Sequence, residues 1–116
     1  MEIASIFANE SQAQETLRRL LENRLIGCGY VQQLATSYWW EGKIESKVEW
    51  ILKGKTTQEF APFALEDIQS NHPYEIPYIS QTQTMVSGEY YEWLVDTLNE
   101  DDEEESSDEC CEEECC

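Results

Sequence analysis

Side chains able to do distinctive chemistry fall in two places in this 116-residue sequence. Near the end, Cys110-Cys111-Glu112-Glu113-Glu114-Cys115-Cys116 places four thiols within seven residues, among carboxylates. Thiolates suit Cu(I), Zn(II) and other soft or borderline ions. The spacing is not that of the paired C-x2-C knuckles of structural zinc sites. Neighbouring carboxylates also disfavour the thiolate by like-charge repulsion. The plainer reading is an acidic solubilising tail whose cysteines meet metal only incidentally. A prenylation box would need cysteine where Glu113 stands, so the Cys-Cys end does not read as a lipid anchor.

The second place is His72, the only histidine. With Glu75 nearby it offers too few ligands for a transition metal, which usually takes three or four. Beside a weak metal contact stands the structural reading, a helix-end residue whose ring is held by a backbone carbonyl. Cys28, between Gly27 and Gly29, reads as a small buried thiol. Adjacent Trp39 and Trp40 point to opposite faces of a strand, so with Trp50 they read as core or interface residues, not a ligand platform. No Ser/His/Asp or Cys/His set, phosphate-cradling glycine loop or CxxC is present, and no carboxylate pair stands out. The expectation is a protein that is not an enzyme.

Charge narrows the partners. The net charge is −18, from seven basic and 25 acidic residues. Residues 1–55 balance seven acids with seven bases, residues 56–99 carry seven acids and no base, and residues 100–116 carry eleven acids and no base. Nucleic acid is excluded as the expected partner, because binding it rests on neutralising phosphates. An anionic membrane surface is disfavoured too. No apolar run of about 18 residues is present to span a bilayer, and the first residues lack a basic n-region. A soluble, cytoplasmic protein is expected. All thirteen aromatic residues lie between Phe7 and Trp93, so residues 1–98 read as one domain and 99–116 as a disordered acidic tail.

Within the domain, Ile3, Ile6 and Phe7 mark a first strand. Asn9 or Ser11 caps a helix, Ser11 with Gln14 having capping-box spacing. Ala13, Leu17, Leu20, Leu21 and Leu25 give its apolar stripe, Arg18 and Arg19 its outer side, and Gly27 its stop. Tyr30–Trp40 and Ile44–Leu52 alternate with period two around Glu41-Gly42-Lys43, which predicts a hairpin. That hairpin is long for so small a core and implies a neighbouring subunit. Thr56 with Glu59 again has capping-box spacing, before a helix with Phe60, Phe63, Ala64 and Ile68 inside and Pro62 in its first turn. Tyr78–Met85 reads as a fourth strand, and Ser87-Gly88 opens a last helix with Tyr90, Trp93, Leu94 and Leu98. The order βαββαβ plus a short C-terminal helix predicts an α+β, ferredoxin-like antiparallel sheet.

Several blocks resemble one family. Leu20-Leu21-Glu22-Asn23-Arg24-Leu25-Ile26-Gly27-Cys28, Tyr38-Trp39-Trp40-Glu41-Gly42-Lys43-Ile44-Glu45, Glu49, Lys55-Thr56, His72-Pro73-Tyr74 with Pro77, and Tyr90 with Trp93 are similar to the CutA divalent-cation-tolerance family. The resemblance covers roughly residues 3–98. It implies a homotrimer whose hairpins pair across subunits, inter-subunit clefts, a link to copper and other divalent metals, and no catalytic activity. It also implies a ligand set that this chain departs from: a cysteine late in the first strand and a His-His pair, where Ser5 and Asn71-His72 stand. The acid after the second proline is Tyr78, and Phe7 stands where a threonine is usual.

Two functions follow as expectations. One is metal tolerance or metal-responsive binding by a trimer, with His72, Cys110, Cys111, Cys115 and Cys116 as candidate ligands and copper as the candidate ion. Three tails on one trimer would gather their thiols at high effective concentration. The other is a scaffold or signalling trimer holding a small molecule or protein in its clefts.

Overall fold

The computed structural model describes residues 1–99; the acidic segment from residue 100 on, with its four cysteines, lies outside the described residues. Along the chain run β1 (Glu2–Phe7), α1 (Glu10–Glu22), β2 (Cys28–Trp40), β3 (Lys43–Lys55), α2 (Ala61–Asn71), β4 (Ile79–Thr82) and α3 (Gly88–Leu98). The sheet order is β2-β3-β1-β4 and every pairing is antiparallel. This is the ferredoxin-like arrangement the element order predicts.

The core forms where β1 and β3 turn one face to α1 and α2. Ile3, Phe7 and Leu52 from the strands meet Ala13 and Leu20 of α1, Ala61, Ala64 and Ile68 of α2, and Ile26 from the α1–β2 connection. A fork ties the two helices together: Arg19 Nε and Nη2 donate to Asp67 Oδ1 at 2.9 and 2.7 Å. Arg19 therefore reaches α2 instead of lying on the outer side of the helix as the apolar stripe suggests, because its long stem extends across to the second helix.

The helix ends differ from expectation in instructive ways. Asn9 caps α1, its Oδ1 accepting the Gln12 N–H at 2.8 Å. Ser11 lies inside the first turn, so the Ser11–Gln14 box does not form. The helix stops at Glu22, well before Gly27, with Arg24 taking the left-handed conformation at φ 56°. Gly27 serves close packing instead, since a Cβ there would lie 2.6 Å from Leu94 Cδ1 of α3. The Arg24 guanidinium secures the same contact by donating to the Thr97 carbonyl at 2.8 Å.

Thr56 is fully buried and donates to the Leu25 carbonyl at 2.7 Å, so it does not cap α2. That helix begins at Ala61 behind Phe60, with Pro62 in the first turn as expected. Its buried stripe is Ala61, Ala64 and Ile68, leaving Phe63 exposed. Ser87 caps α3 by accepting the Tyr90 N–H at 3.2 Å. The fourth strand, Ile79–Thr82, is shorter than the Tyr78–Met85 run that alternation suggests.

The hairpin is longer than its pattern indicates: thirteen residues in each strand. Glu41 and Gly42 turn it with φ of 51° and 80°, the two positive values a tight primed turn requires. β1 pairs only with Trp50–Lys55 of β3, so residues 43–49 run on past the rest of the sheet. This overhang stretches the protein to 51 Å along its long axis against 26 and 24 Å across. It carries Trp39, Ile44 and Val48 at 72, 65 and 49 % exposure.

Where the hairpin joins the body, Gly29 and Gly54 face each other across β2 and β3. A Cβ at Gly29 would meet the Lys53 carbonyl at 2.8 Å and Leu17 Cδ1 at 2.7 Å. The carbonyl is backbone and cannot step aside. Gly29→Ala is therefore expected to lower unfolding free energy by about 1–3 kcal/mol, the usual range for overpacking, as read by the urea midpoint.

Candidate functional site

β1 ends at Phe7 while β3 continues, which opens a space beside Glu49. The chain leaving α2 reaches it through Tyr74. Pro73 forces an extended conformation on His72, and it adopts φ −76°, ψ 136°. The imidazole then stacks on Phe7 with centroids 4.4 Å apart and planes 14° from parallel. Its Nδ1 accepts the Tyr74 N–H at 3.1 Å, which requires an unprotonated Nδ1. Nε2 thus carries the proton and donates to the Ile6 carbonyl at 2.9 Å. Burial lowers the imidazole pKa below its ordinary value; the Ile6 carbonyl works against that shift and does not cancel it. The histidine is held by a backbone carbonyl at a helix end, as its structural reading expects.

Held this way, Tyr74 reaches the hairpin. Its hydroxyl donates to Glu49 Oε2 at 2.5 Å, and Thr36 Oγ1 donates to Glu49 Oε1 at 2.6 Å. Thr36 and Glu49 share one sheet face on neighbouring strands, with Thr36 directly opposite Lys47. Lys47 Nζ stands 3.6 Å from Glu49 Oε2. It also lies over the rings of Tyr38 and Tyr74, 5.6 and 5.3 Å from their centroids. Glu49 is only 5 % exposed.

Burial alone would raise the Glu49 pKa. The bonds from Thr36 and Tyr74 and the charge of Lys47 together outweigh it and hold the carboxyl below its ordinary range. Burial, then the bond to Glu49 and its charge, pushes the Tyr74 phenol well above its usual value, so it stays a donor. Both carboxylate oxygens are occupied. The arrangement suits holding and binding more than proton transfer, and it leaves Lys47 half-exposed between two aromatic rings.

The candidate ligands are not brought together. Ser5 is fully buried and donates to the Tyr78 carbonyl at 2.7 Å. Asn71 donates to the Asp67 carbonyl at 2.9 Å, one helical turn back. His72 has both ring nitrogens bonded within the chain. Cys28 is buried in β2 at 4 % exposure, as expected of a small residue packed behind the first helix. Among the described residues no group of three or more His, Cys, Asp and Glu is placed to hold a metal ion. Cys110, Cys111, Cys115 and Cys116 lie outside the described residues. Among those residues, too, no helix is long and apolar enough to cross a membrane.

Sequence reasoning passed over Lys47, Thr36 and Tyr38. The signal was present in the hairpin register: positions 36 and 38 share a face with 47 and 49 once the strands pair around Glu41-Gly42. That face alternates charge, and alternating charge reads as solvated unless a partner arrives from elsewhere in the chain.

Removing the Tyr74 hydroxyl should expose this dependence. In Tyr74→Phe, Glu49 loses one of its donors, and its pKa is expected to rise toward the ordinary carboxylate value in a carboxyl-carbon NMR titration. Unfolding free energy at neutral pH should fall by about 1–3 kcal/mol, the range for a charge-assisted bond. An unmoved Glu49 titration would show that Tyr74 does not set its charge.

The profile of the CutA1 divalent ion tolerance protein family matches residues 2–97. The divalent-cation tolerance protein CutA of Thermotoga maritima is 38% identical over 97 residues, covering 83% of this chain and 96% of the relative. Its namesake from Pyrococcus horikoshii is 32% identical over 95 residues, 81% of this chain and 93% of the relative. Among solved structures, P. horikoshii CutA crystallised in 3 M guanidine hydrochloride superposes with a TM-score of 0.79 at 31% identity, covering 83% and 96% of the two chains. The Archaeoglobus fulgidus protein, described as a periplasmic divalent cation tolerance protein, gives 0.78 at 26% identity over 84% and 96%. With sheet order, hairpin and sequence blocks all in agreement over nearly the whole described domain, the chain belongs to the CutA1 divalent ion tolerance family.

Proposed function

We propose that this chain acts in divalent-metal tolerance as a non-enzymatic homotrimer of the cytoplasm. In this reading it captures copper or a similar soft ion through the thiols of Cys110, Cys111, Cys115 and Cys116. Family membership supports the metal link. The observation that carries the trimer is the overhanging hairpin. Its residues 43–49 lack a β1 partner, and it presents Trp39, Trp40, Ile44 and Val48 to solvent in the single chain. Exposed apolar side chains beside an unpaired strand edge call for a second copy.

The assignment of metal to the tail rests on chemistry. Ser5, Asn71 and His72, at the positions where the family resemblance places ligands, are each bonded within the chain. Four cysteines near the C-terminus remain as the soft donors. Catalysis finds no support, since both oxygens of Glu49, the buried carboxylate, are already held. The overall charge of −18 argues against nucleic acid and membrane surfaces as partners.

A second reading has one observation behind it. Lys47, Tyr38 and Tyr74 form a half-exposed cationic and aromatic cluster at the root of the hairpin. In a trimer this could line a cleft for a small molecule or protein, making the protein a scaffold or signalling device. Native mass spectrometry separates the two readings, using the full chain and a form ending at Asn99, each with and without Cu(I) under reducing conditions. The metal reading expects trimers of both forms, with stoichiometric copper on the full chain alone. Equal copper on both forms would move the site into the body, trimers without copper would favour the scaffold, and monomers would overturn the assembly.

A further inference from the structure

One cation on the hairpin is held in place while its hydrogen-bond donors stay unspent. Lys43, Glu45, Lys47 and Glu49 share a face of β3, opposite Trp40, Tyr38, Thr36 and Leu34 of β2. Both Glu49 oxygens already accept short bonds, from Tyr74 at 2.5 Å and from Thr36 at 2.6 Å. The Lys47 amine stands off Glu49 at 3.6 Å, close enough to feel the charge but beyond hydrogen-bond length. The rings of Tyr38 and Tyr74 flank it, with centroids 5.6 and 5.3 Å away, and its side chain is 44 % exposed. We propose that Lys47, Tyr38 and Tyr74, with Trp40 beside them, form a binding site for a small aromatic monocarboxylate. Its carboxylate takes the Lys47 donors, and its flat body lies along the rings.

The charge balance selects a single negative group. Glu49, at 5 % exposure, offsets Lys47 from behind, and Glu45 stands directly opposite Tyr38 on the same face. A phosphate, with more than one negative charge at neutral pH, would meet one cation that is already shared. A neutral ligand would leave the ammonium donors unused, whereas a carboxylate accepts from them in a charge-assisted bond. The rings select the rest of the molecule. Tyr38 and Trp40 lie two residues apart on one strand face, and Trp40 is 53 % exposed. Offset or edge contacts with such rings favour an aromatic body over a bare alkyl one.

The site is also set before any ligand arrives. A lysine side chain normally loses much rotamer freedom on binding, and here Glu49 and two rings have already restricted it. Lys43, one step nearer the turn, has no ion pair or ring contact of this kind among the described residues, and it is exposed. The proposal rests on the second reading above, that this cluster receives a ligand. It does not rest on the trimer, because every residue named belongs to one chain.

NMR on the 13C,15N-labelled full chain at pH 7 tests it, with sodium benzoate titrated against sodium chloride of equal ionic strength. Saturable shifts are expected at the Lys47 side-chain end and the Tyr38 ring, with acetate binding more weakly and inorganic phosphate no tighter than acetate. Lys47→Gln should weaken benzoate binding about tenfold or more, the scale of one hydrogen bond to a charged group. Lys43→Gln, which removes the same charge from the same face, should leave it unchanged. Shifts that never saturate, phosphate binding tighter than benzoate, or equal losses in the two variants would each overturn the site. Native mass spectrometry of the same samples keeps the two readings apart. Benzoate held by monomers would support the site while overturning the trimeric scaffold; trimers without saturable binding would overturn the site and leave the assembly standing.

Discussion

β1 is six residues long and the strand beside it thirteen, and much of this molecule follows from that mismatch. Where both run together, helices cover one face and the core closes around Ile3, Phe7 and Leu52. Past Phe7 the sheet narrows to a two-stranded ribbon, and an isolated ribbon of that kind is only marginally stable in water. The chain meets the problem at the transition with the His72-Pro73-Tyr74 segment, which bonds to the end of β1 at Ile6 and to the ribbon at Glu49. The proline sets the extended backbone, Phe7 supplies a surface for the imidazole, and Tyr74 delivers a hydroxyl to the ribbon at Glu49.

Glu49 is an expensive residue to place there, since a carboxylate removed from water loses its hydration. Two hydroxyls at 2.5 and 2.6 Å and an ammonium at 3.6 Å replace it. A leucine at this position would pack without such demands but would not select the angle at which Tyr74 and Thr36 arrive. Polar networks that are fully satisfied gain their value from that directional requirement. The cluster therefore fixes how the ribbon leaves the body. If three chains assemble through their hairpins, the departure angle is the quantity that has to be reproducible. Lys47, anchored by Glu49 and flanked by Tyr38 and Tyr74, is positioned as a by-product and left half-exposed.

The element order, the sheet class and the existence of the long hairpin were legible because they rest on periodicity, which a linear sequence displays. The helix caps were less so. Ser11 and Asn9 are both competent caps, and which one acts depends on where β1 releases the chain; Asn9 captures the Gln12 N–H and places Ser11 inside the turn. Thr56 looks like a cap by spacing, yet the core draws it inward to the Leu25 carbonyl. Gly27 looks like a helix stop but meets a side chain from α3, a contact more than sixty residues away that no local pattern carries. The Lys47 cluster was hidden for the same reason. Charges alternating along a strand look solvated until Tyr74 is brought across by the fold. His72 was the exception: next to a proline at the end of an apolar helix, its structural role was readable from position, and the Ile6 carbonyl supplies the expected partner.

The bonds of Ser5, Asn71 and His72 leave little room for a metal site in the folded body. Ser5 and Asn71, at the positions where the family resemblance places ligands, are not idle: each has a hydrogen bond that stabilises a strand entry or a helix end. Restoring a ligand at Ser5 would remove a buried bond to the Tyr78 carbonyl, and so loosen the start of β4, which pairs with β1 at that residue. Engaging His72 would require withdrawing a nitrogen from Ile6 or Tyr74, and with it the hold on the hairpin. A body site in this chain is thus in direct competition with the brace that shapes the molecule. The bonds that hold Ser5, Asn71 and His72 are all made among residues 5–78, so thiols carried beyond α3 do not draw on them.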